Sequence, residues 1–373
     1  MNYEQAYEFI INYPRFAKVN TLSRMERILG KLGNPHKKLR FVHIAGTNGK
    51  GSVSAMTASI LRRAGYRTGL FISPFVEDFR ERISIDGELI SKEDFAGILT
   101  DVREYGESCD TMPNAFELIS AVAFKYYAEK NCDIVVLETG LGGRWDATNV
   151  IPAPYAAVIT SISFDHTNIL GDTISKIAAE KAGILKNGSY AVTCGGQEPE
   201  ALEVIKNTCA EKQIPLIVSD EKSVRIFKET IEYTDICYKG MSIRIPFAGR
   251  HQVQNALVAV EAAFAVKEKG FTITEDNIIK GIFETRFPVR TEVVCKSPLI
   301  IIDGAHNTGG IKALCQTIER LLIGYEIISV FGCLKDKLNE EAIKLIAGAS
   351  DIMYIAMPDS TRAADIGETE KVA

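Results

Sequence analysis

Apolar and polar residues alternate with two different periods along most of this chain. "LRFVHIA" (39–45) is a short β-rich run that ends at a glycine. After it, Val53, Met56, Ile60, Leu61 and Ala64 recur near helical spacing until Gly65. "RTGLFIS" (67–73), "CDIVVLET" (132–139) and "YAAVITSIS" (155–163) are further apolar, β-branched runs, separated by segments long enough for helices. This alternation predicts a mostly parallel sheet with helices on both faces. Between 223 and 247 the period shortens to two, with a turn near Lys239-Gly240, which predicts antiparallel strands. A helix follows in "HQVQNALVAVEAAFAVKEKG", and beyond Pro288 a second β/α alternation runs through "SPLIIIDGAH", "EIISVFGCL" and "DIMYIAMP". The pattern thus divides the chain into units 1–287 and 288–373. The second unit is short for an α/β domain and stops just after its third strand, so a truncated C-terminus is one expectation.

Composition narrows the classes. The chain has 373 residues, 46% apolar and 24% charged, enough for two sizeable cores. A net charge of −5 offers no general attraction to nucleic acid or to an anionic membrane. No apolar run reaches the length of a membrane span, and "MNYEQAYEFIINY" lacks the basic start of a signal peptide. Eight scattered cysteines form no C-x-x-C pair, which points to reduced thiols in the cytoplasm rather than to zinc or disulfides.

The candidate chemistry starts at "HIAGTNGKGSV" (43–53). It follows a predicted strand and opens a predicted helix, where free N–H groups and the helix dipole favour an anion. The general phosphate-loop pattern is G-x-x-x-x-G-K-[ST]. Gly49 and Lys50 fit it, but Ile44 stands at the first glycine position and Gly51 at the hydroxyl position. Gly46, Gly49 and Gly51 allow close backbone approach to phosphate, and Lys50 supplies a point charge. Ser52 is one residue late for the usual metal contact. The competing reading is a glycine-rich strand-to-helix turn with an exposed lysine.

The loop and several other segments, in order, resemble the folylpolyglutamate synthases and dihydrofolate synthases of the Mur ligase superfamily. They are "GTNGKGS", "FISPFVEDFRERI" (71–83), "LETGLGGRWDATN" (137–149), "FDHTNILGDTISKIAAEKAGILK" (164–186), "HQVQNA" (251–256), "FPVR" (287–290) and "IDGAHN" (302–307). The implied fold is α/β: a P-loop-type, mostly parallel sheet flanked by helices with a small antiparallel sheet, plus a smaller Rossmann-like C-terminal domain. The implied activity is ATP-dependent addition of L-glutamate to a folate or dihydropteroate carboxylate through an acyl phosphate, by a monomer.

The resemblance implies nucleotide contacts from Gly46, Thr47, Asn48, Gly49, Lys50, Gly51, Ser52, Asn255, Arg290 and Asp303, with His306 near the γ-phosphate. It implies Mg²⁺, at two sites, held by Ser73, Glu138 and His166 and by Lys181 as its carbamate. Two of these stand out without it. Glu138 follows "DIVVL", at the carboxyl end of a predicted parallel strand, where such sheets bind ligands. Lys181 lies on the apolar stripe of Ile174, Ile177 and Ala178, where it is either buried with a lowered pKa or snorkelling to solvent. Arg290 reads equally as a surface charge on a linker.

On the acceptor side, Phe71, Phe75 and Phe79 offer aromatic surface to a flat ring, although spacing by four also describes a helical core stripe. Arg80 and Arg82 suit substrate carboxylates. Phe116, in "NAFELISAVAF", matches a family helix that borders the pterin site in some members. Lys335 and Asp336 in "CLKDK" match a further cleft segment. Phe75 departs from the family's usual histidine. Three other readings stay open: a cell-wall ligase of the Mur type, a P-loop NTPase that is no ligase, and a truncated inactive paralogue.

Overall fold

The computed structural model describes residues 1–15, 21–107, 109, 111–335, 340–360 and 362–372. Its centre is an eight-stranded sheet built from β1 (Phe41–Ala45), β2 (Thr68–Phe71), β3 (Ile83–Ile85), β4 (Glu88–Leu89), β5 (Ile134–Glu138), β6 (Ala156–Ile159), β7 (Tyr190–Thr193) and β8 (Leu216–Val218). The order is β4-β3-β2-β5-β1-β6-β7-β8. Pairing is parallel from β2 through β8 in this order, and the β2–β3 and β3–β4 pairs at one edge are antiparallel, so only β3 runs against the sheet.

Alternate residues of the central strands enter opposite cores, which is why these runs are apolar throughout. In β5, Ile134 and Val136 pack on one face, with the helices Lys50–Arg63 and Arg250–Glu268, while Val135 and Leu137 pack on the other. That second face is covered by the helices Tyr3–Ile11, Lys92–Glu107 and Ala115–Glu129. Loops leaving the carboxyl ends of β1, β2, β5 and β6 converge on one side, at the point where the strand order reverses.

The expected antiparallel sheet is β9 (Arg225–Glu229), β10 (Thr234–Tyr238) and β11 (Met241–Ile245). Lys239 and Gly240 both take positive φ, +50° and +81°, as a two-residue hairpin turn requires. Every second residue of β11, Met241, Ile243 and Ile245, is buried. After the helix Glu275–Phe283 the chain crosses 284–291 and forms a hairpin of β12 (Glu292–Lys296) and β13 (Leu299–Ile302). The sequence pattern does not mark β12: its residues alternate with solvent, and Pro288 just before it reads as a linker. A parallel pair follows, β14 (Ile328–Phe331) and β15 (Ile352–Ile355), packed through Ile311, Cys315, Ala342 and Ile346 of its helices. On the other side of that pair, Ile328, Val330, Ile352 and Tyr354 face outward. Among the described residues, no helix is long and apolar enough to cross a membrane.

Candidate active site

A cleft of about 1230 Å³ opens over the carboxyl ends of the parallel strands, walled on its far side by the 303–314 segment. The 46–52 loop forms its floor. Gly49, with φ +85°, turns the chain into the helix Lys50–Arg63. The first amides of that helix, from Lys50 to Ser52, have no carbonyl partner within the helix. Earlier in the loop two amides are already engaged: Thr47 and Asn48 donate to the Ser161 carbonyl at 2.8 and 3.3 Å. The Thr47 hydroxyl donates to the Ser163 carbonyl and accepts from the Ser163 amide, both at 3.1 Å. The loop is thereby fastened to the segment after β6, and the amides of Lys50, Gly51 and Ser52 are among its donors toward an anion.

Lys50 Nζ donates to the carbonyls of Gly46 and Thr47, both at 3.1 Å. Lys181 Nζ reaches the same Gly46 carbonyl at 2.7 Å from the end of the helix Ile174–Lys181. Lys181 is only 3% exposed, so it does not snorkel. Burial, and then the charge of Lys50, lower its pKa to about 7. Glu138, at the end of β5, is buried and accepts the Ser73 amide at 3.1 Å. Burial pushes its pKa up to about 6, and Lys50, the Ser73 amide, Arg290 and Arg82 pull it back.

The loop after β5 is shaped by Asp146. Its Oδ2 accepts the amides of Gly140 and Leu141 at 2.9 Å, and its Oδ1 accepts the Thr148 amide at 2.9 Å and hydroxyl at 2.5 Å. Because that hydroxyl donates to Asp146, His43 Nε2, 2.8 Å away, must be the donor to Thr148. Burial depresses the His43 pKa to about 3, so this ring stays neutral.

The 303–314 segment reaches over the floor. Asn307 is buried; its Oδ1 accepts the Gly310 amide at 2.9 Å and caps its own helix, Thr308–Leu321. Its Nδ2 donates to Asn48 Oδ1 at 3.0 Å and to Asp165 Oδ2 at 3.1 Å. Asp303 accepts the Thr291 amide and hydroxyl at 2.7 and 2.9 Å and the Ala305 amide at 2.7 Å. His306 is exposed at the rim, with Nδ1 at 2.8 Å from the Gly304 carbonyl. Arg290 faces Glu138 and Asp303, and burial lowers its pKa.

All the nucleotide, metal and catalytic candidates read from the sequence line this one cleft: residues 46–52, Ser73, Glu138, His166, Lys181, Asn255, Arg290, Asp303 and His306. Arg82 and Phe116 join them. Phe75 does not. It lies beneath Arg82, whose guanidinium sits 5.4 Å from the Phe75 ring and 5.5 Å from that of Phe79. Phe71 ends β2 and Phe79 opens a 3₁₀ turn, so the spacing by four is no helical stripe. Arg80 is paired with Asp78 at 2.6 Å, outside the cleft. Lys335 is exposed away from the cleft, and Asp336 lies outside the described residues. Sequence reasoning missed Arg15, Arg24, Trp145, Asp146 and His251, which also line the cleft. Only Asp146 carried a local signal, as an Asp-x-Thr turn at the start of a 3₁₀ helix.

Comparison with known proteins bears on this geometry. Residues 44–263 match the Mur ligase middle domain, and residues 289–372 the Mur ligase, glutamate ligase domain. The chain is 38% identical to a dihydrofolate synthase/folylpolyglutamate synthase of Bacillus subtilis, over 97% of this chain and 86% of the relative. It belongs to the folylpolyglutamate/dihydrofolate synthase family of Mur ligases. The folylpolyglutamate synthase of Lacticaseibacillus casei is 33% identical over 97% of this chain and 87% of the relative. Among solved structures, an FPGS complex with AMPPCP and folate superposes with a TM-score of 0.89, at 31% identity, covering 100% of this chain and 93% of that one. The folylpolyglutamate synthase of Thermotoga maritima gives 0.86, at 33% identity, covering 100% and 87%. Synthases of this family are ATP-dependent ligases that add glutamate to folates, and the mostly parallel sheet with its small antiparallel sheet and C-terminal unit is their fold.

Proposed function

We propose that this cleft joins L-glutamate to the carboxylate of a folate or dihydropteroate by way of an acyl phosphate. The observation that carries the reading is the convergence on one floor of three helix-start amides, Lys50, the buried Glu138 and, from the linker, Arg290. A carboxylate oxygen of the acceptor attacks the γ-phosphorus of ATP, the bond to the bridging oxygen breaks, and ADP leaves. The α-amine of glutamate then attacks the acyl carbon, and phosphate departs. The protein's part in the first step is positioning and charge stabilisation. Lys50, Arg290 and the amides of 50–52 hold the phosphates, while Gly46, Thr47, Asn48 and Gly49 shape their bed. Asn255 and Asp303 border the nucleoside side, with His306 at the rim.

The donor set suits Mg²⁺, which takes one or two carboxylates and completes its shell with phosphate and water. Glu138, Ser73 and His166 would hold it, and a carbamate on Lys181 would hold a second ion; bound there, Mg²⁺ neutralises charge on the transferring phosphoryl group. Arg82 and Phe116 take the acceptor, with Phe75 supporting Arg82 from below. The same reading divides the chain into units 1–287 and 288–373. It places the reaction in a monomer, since one chain supplies every group named. It places the protein in the cytoplasm, where eight free cysteines stay reduced.

The deciding experiment measures ADP release with dihydropteroate or tetrahydrofolate as acceptor, with and without glutamate. Ligation with either acceptor supports the reading and names the preference. ADP release that needs neither acceptor nor glutamate overturns it.

A further inference from the structure

We propose that Phe287 is a positioning residue that fills the place of the side chain absent at Gly51 and couples the phosphate loop to Arg290. The inference rests on the reading of Lys50 and Arg290 as phosphate ligands. Gly51 is the second residue of its helix and needs no unusual backbone, so its lack of a side chain has another cause. A Cβ at this position would stand 2.5 Å from Cζ and 2.8 Å from Cε1 of Phe287. The tip of that ring therefore lies against the backbone where the general phosphate-loop pattern carries a hydroxyl side chain. The ring arrives from the linker, more than two hundred residues away in the chain, and its flank packs on the core beneath the sheet.

The same ring carries the arginine. The Arg290 guanidinium sits 4.7 Å from the Phe287 centroid, in the range of a cation–π contact. The backbone between them is tightly determined. Val289 and Thr291 hold φ of +57° and +49°, a region that β-branched residues rarely enter. The Val289 amide donates to Glu292 Oε2 at 2.8 Å, and its carbonyl accepts the Gly304 amide at 3.1 Å and Arg290 Nη1 at 2.8 Å. Asp303 takes both donors of Thr291. A segment fixed at so many points in an unfavourable conformation moves as one body, not by local bending. Whatever lifts or seats Phe287 on the loop shifts Arg290 with it.

The test uses the full chain and measures ligation kcat and KM for ATP, with ADP binding followed by calorimetry. Phe287→Ala should lower kcat roughly a hundredfold, the scale of an ångström misplacement, while KM for ATP and ADP affinity change several-fold at most. Adding Arg290→Ala to it should lower kcat little further than Arg290→Ala alone, because the two act as a unit. Gly51→Ala should also lower kcat, and adding Phe287→Ala to it should restore about tenfold, since the smaller side chain makes room. Effects that simply multiply, or a Gly51→Ala/Phe287→Ala protein slower than either single variant, would overturn the coupling while leaving the site reading intact. A fully active Arg290→Ala protein would overturn both. Thermal unfolding of each variant separates a folding defect, which lowers Tm without splitting kcat from KM, and that result alone counts against the proposal.

Discussion

Lys181 and Gly46 lie 135 residues apart, and the amine of the first donates to the carbonyl of the second at 2.7 Å. Lys50 shares that acceptor. Burial, and then the nearby charge of Lys50, give Lys181 a pKa of about 7. A sizeable fraction is then neutral at physiological pH, and a neutral amine can add carbon dioxide. Native mass spectrometry should find one added carbon dioxide, absent from Lys181→Ala. That variant should lose ligation by roughly a hundredfold or more, on the scale of losing a group that acts in the transition state. A fully active Lys181→Ala enzyme would refute the role.

If Glu138 and Lys181 act as proposed, ligation should show an acid limb. Burial raises the carboxyl to about pKa 6, so it takes up a proton as pH falls through that value. Protons then compete with Mg²⁺, and the apparent affinity for the ion should drop about tenfold per pH unit below 6. Below about pH 7, Lys181 becomes charged and cannot form a carbamate. Both groups act in the same direction, so ligation should fall toward acid and recover in part with added Mg²⁺. A rate independent of pH between 5 and 7 would contradict this.

Arg24 and Glu117 are a buried pair at the far end of the cleft, with side chains 5% exposed and contacts of 3.0 Å. Glu117→Ala leaves a buried guanidinium without its carboxylate and should cost about 3 kcal/mol of stability. Urea unfolding, read as a change in midpoint at constant m, measures it. Glu117→Gln should cost less, since it keeps an acceptor.

Thr148→Val should destabilise by about 2 kcal/mol, the scale of a buried donor left without a partner. It removes the oxygen that accepts from His43 Nε2, and it frees one of the bonds that orient Asp146. Thermal unfolding should shift downward, and His43→Phe in the same background should recover part of the loss.

Features whose causes are local could be read from the residues. Strand β5 announced itself because both faces of it are buried, and Glu138 followed from its place at the strand end. The hairpin turn at Lys239-Gly240 followed from turn chemistry. Lys181 was ambiguous between a buried and a snorkelling side chain, because periodicity gives a face but not what covers it. What covers it is the 46–47 loop, brought there by β1. Arg24, Trp145 and Phe287 have no local signature, since their roles arise only when distant segments meet. Phe75 and Arg80 suited an aromatic ring and a carboxylate by residue type, but type does not say which partner a side chain meets: one supports Arg82 from below, and the other pairs with Asp78.

Asn307 serves two masters with one amide group: its oxygen starts a helix, and its nitrogen grips Asn48 and Asp165. Fraying of that first turn frees the side chain that makes the grip, and loss of the grip frees the side chain that caps the helix. The core around the central sheet and the small core of Ile311, Cys315, Ala342 and Ile346 are separate clusters, which by itself would permit two separate melting events. With the cap and the grip in one side chain, loosening at one end is expected to weaken the other, and Asn307→Ala should draw the two melting events further apart in calorimetry.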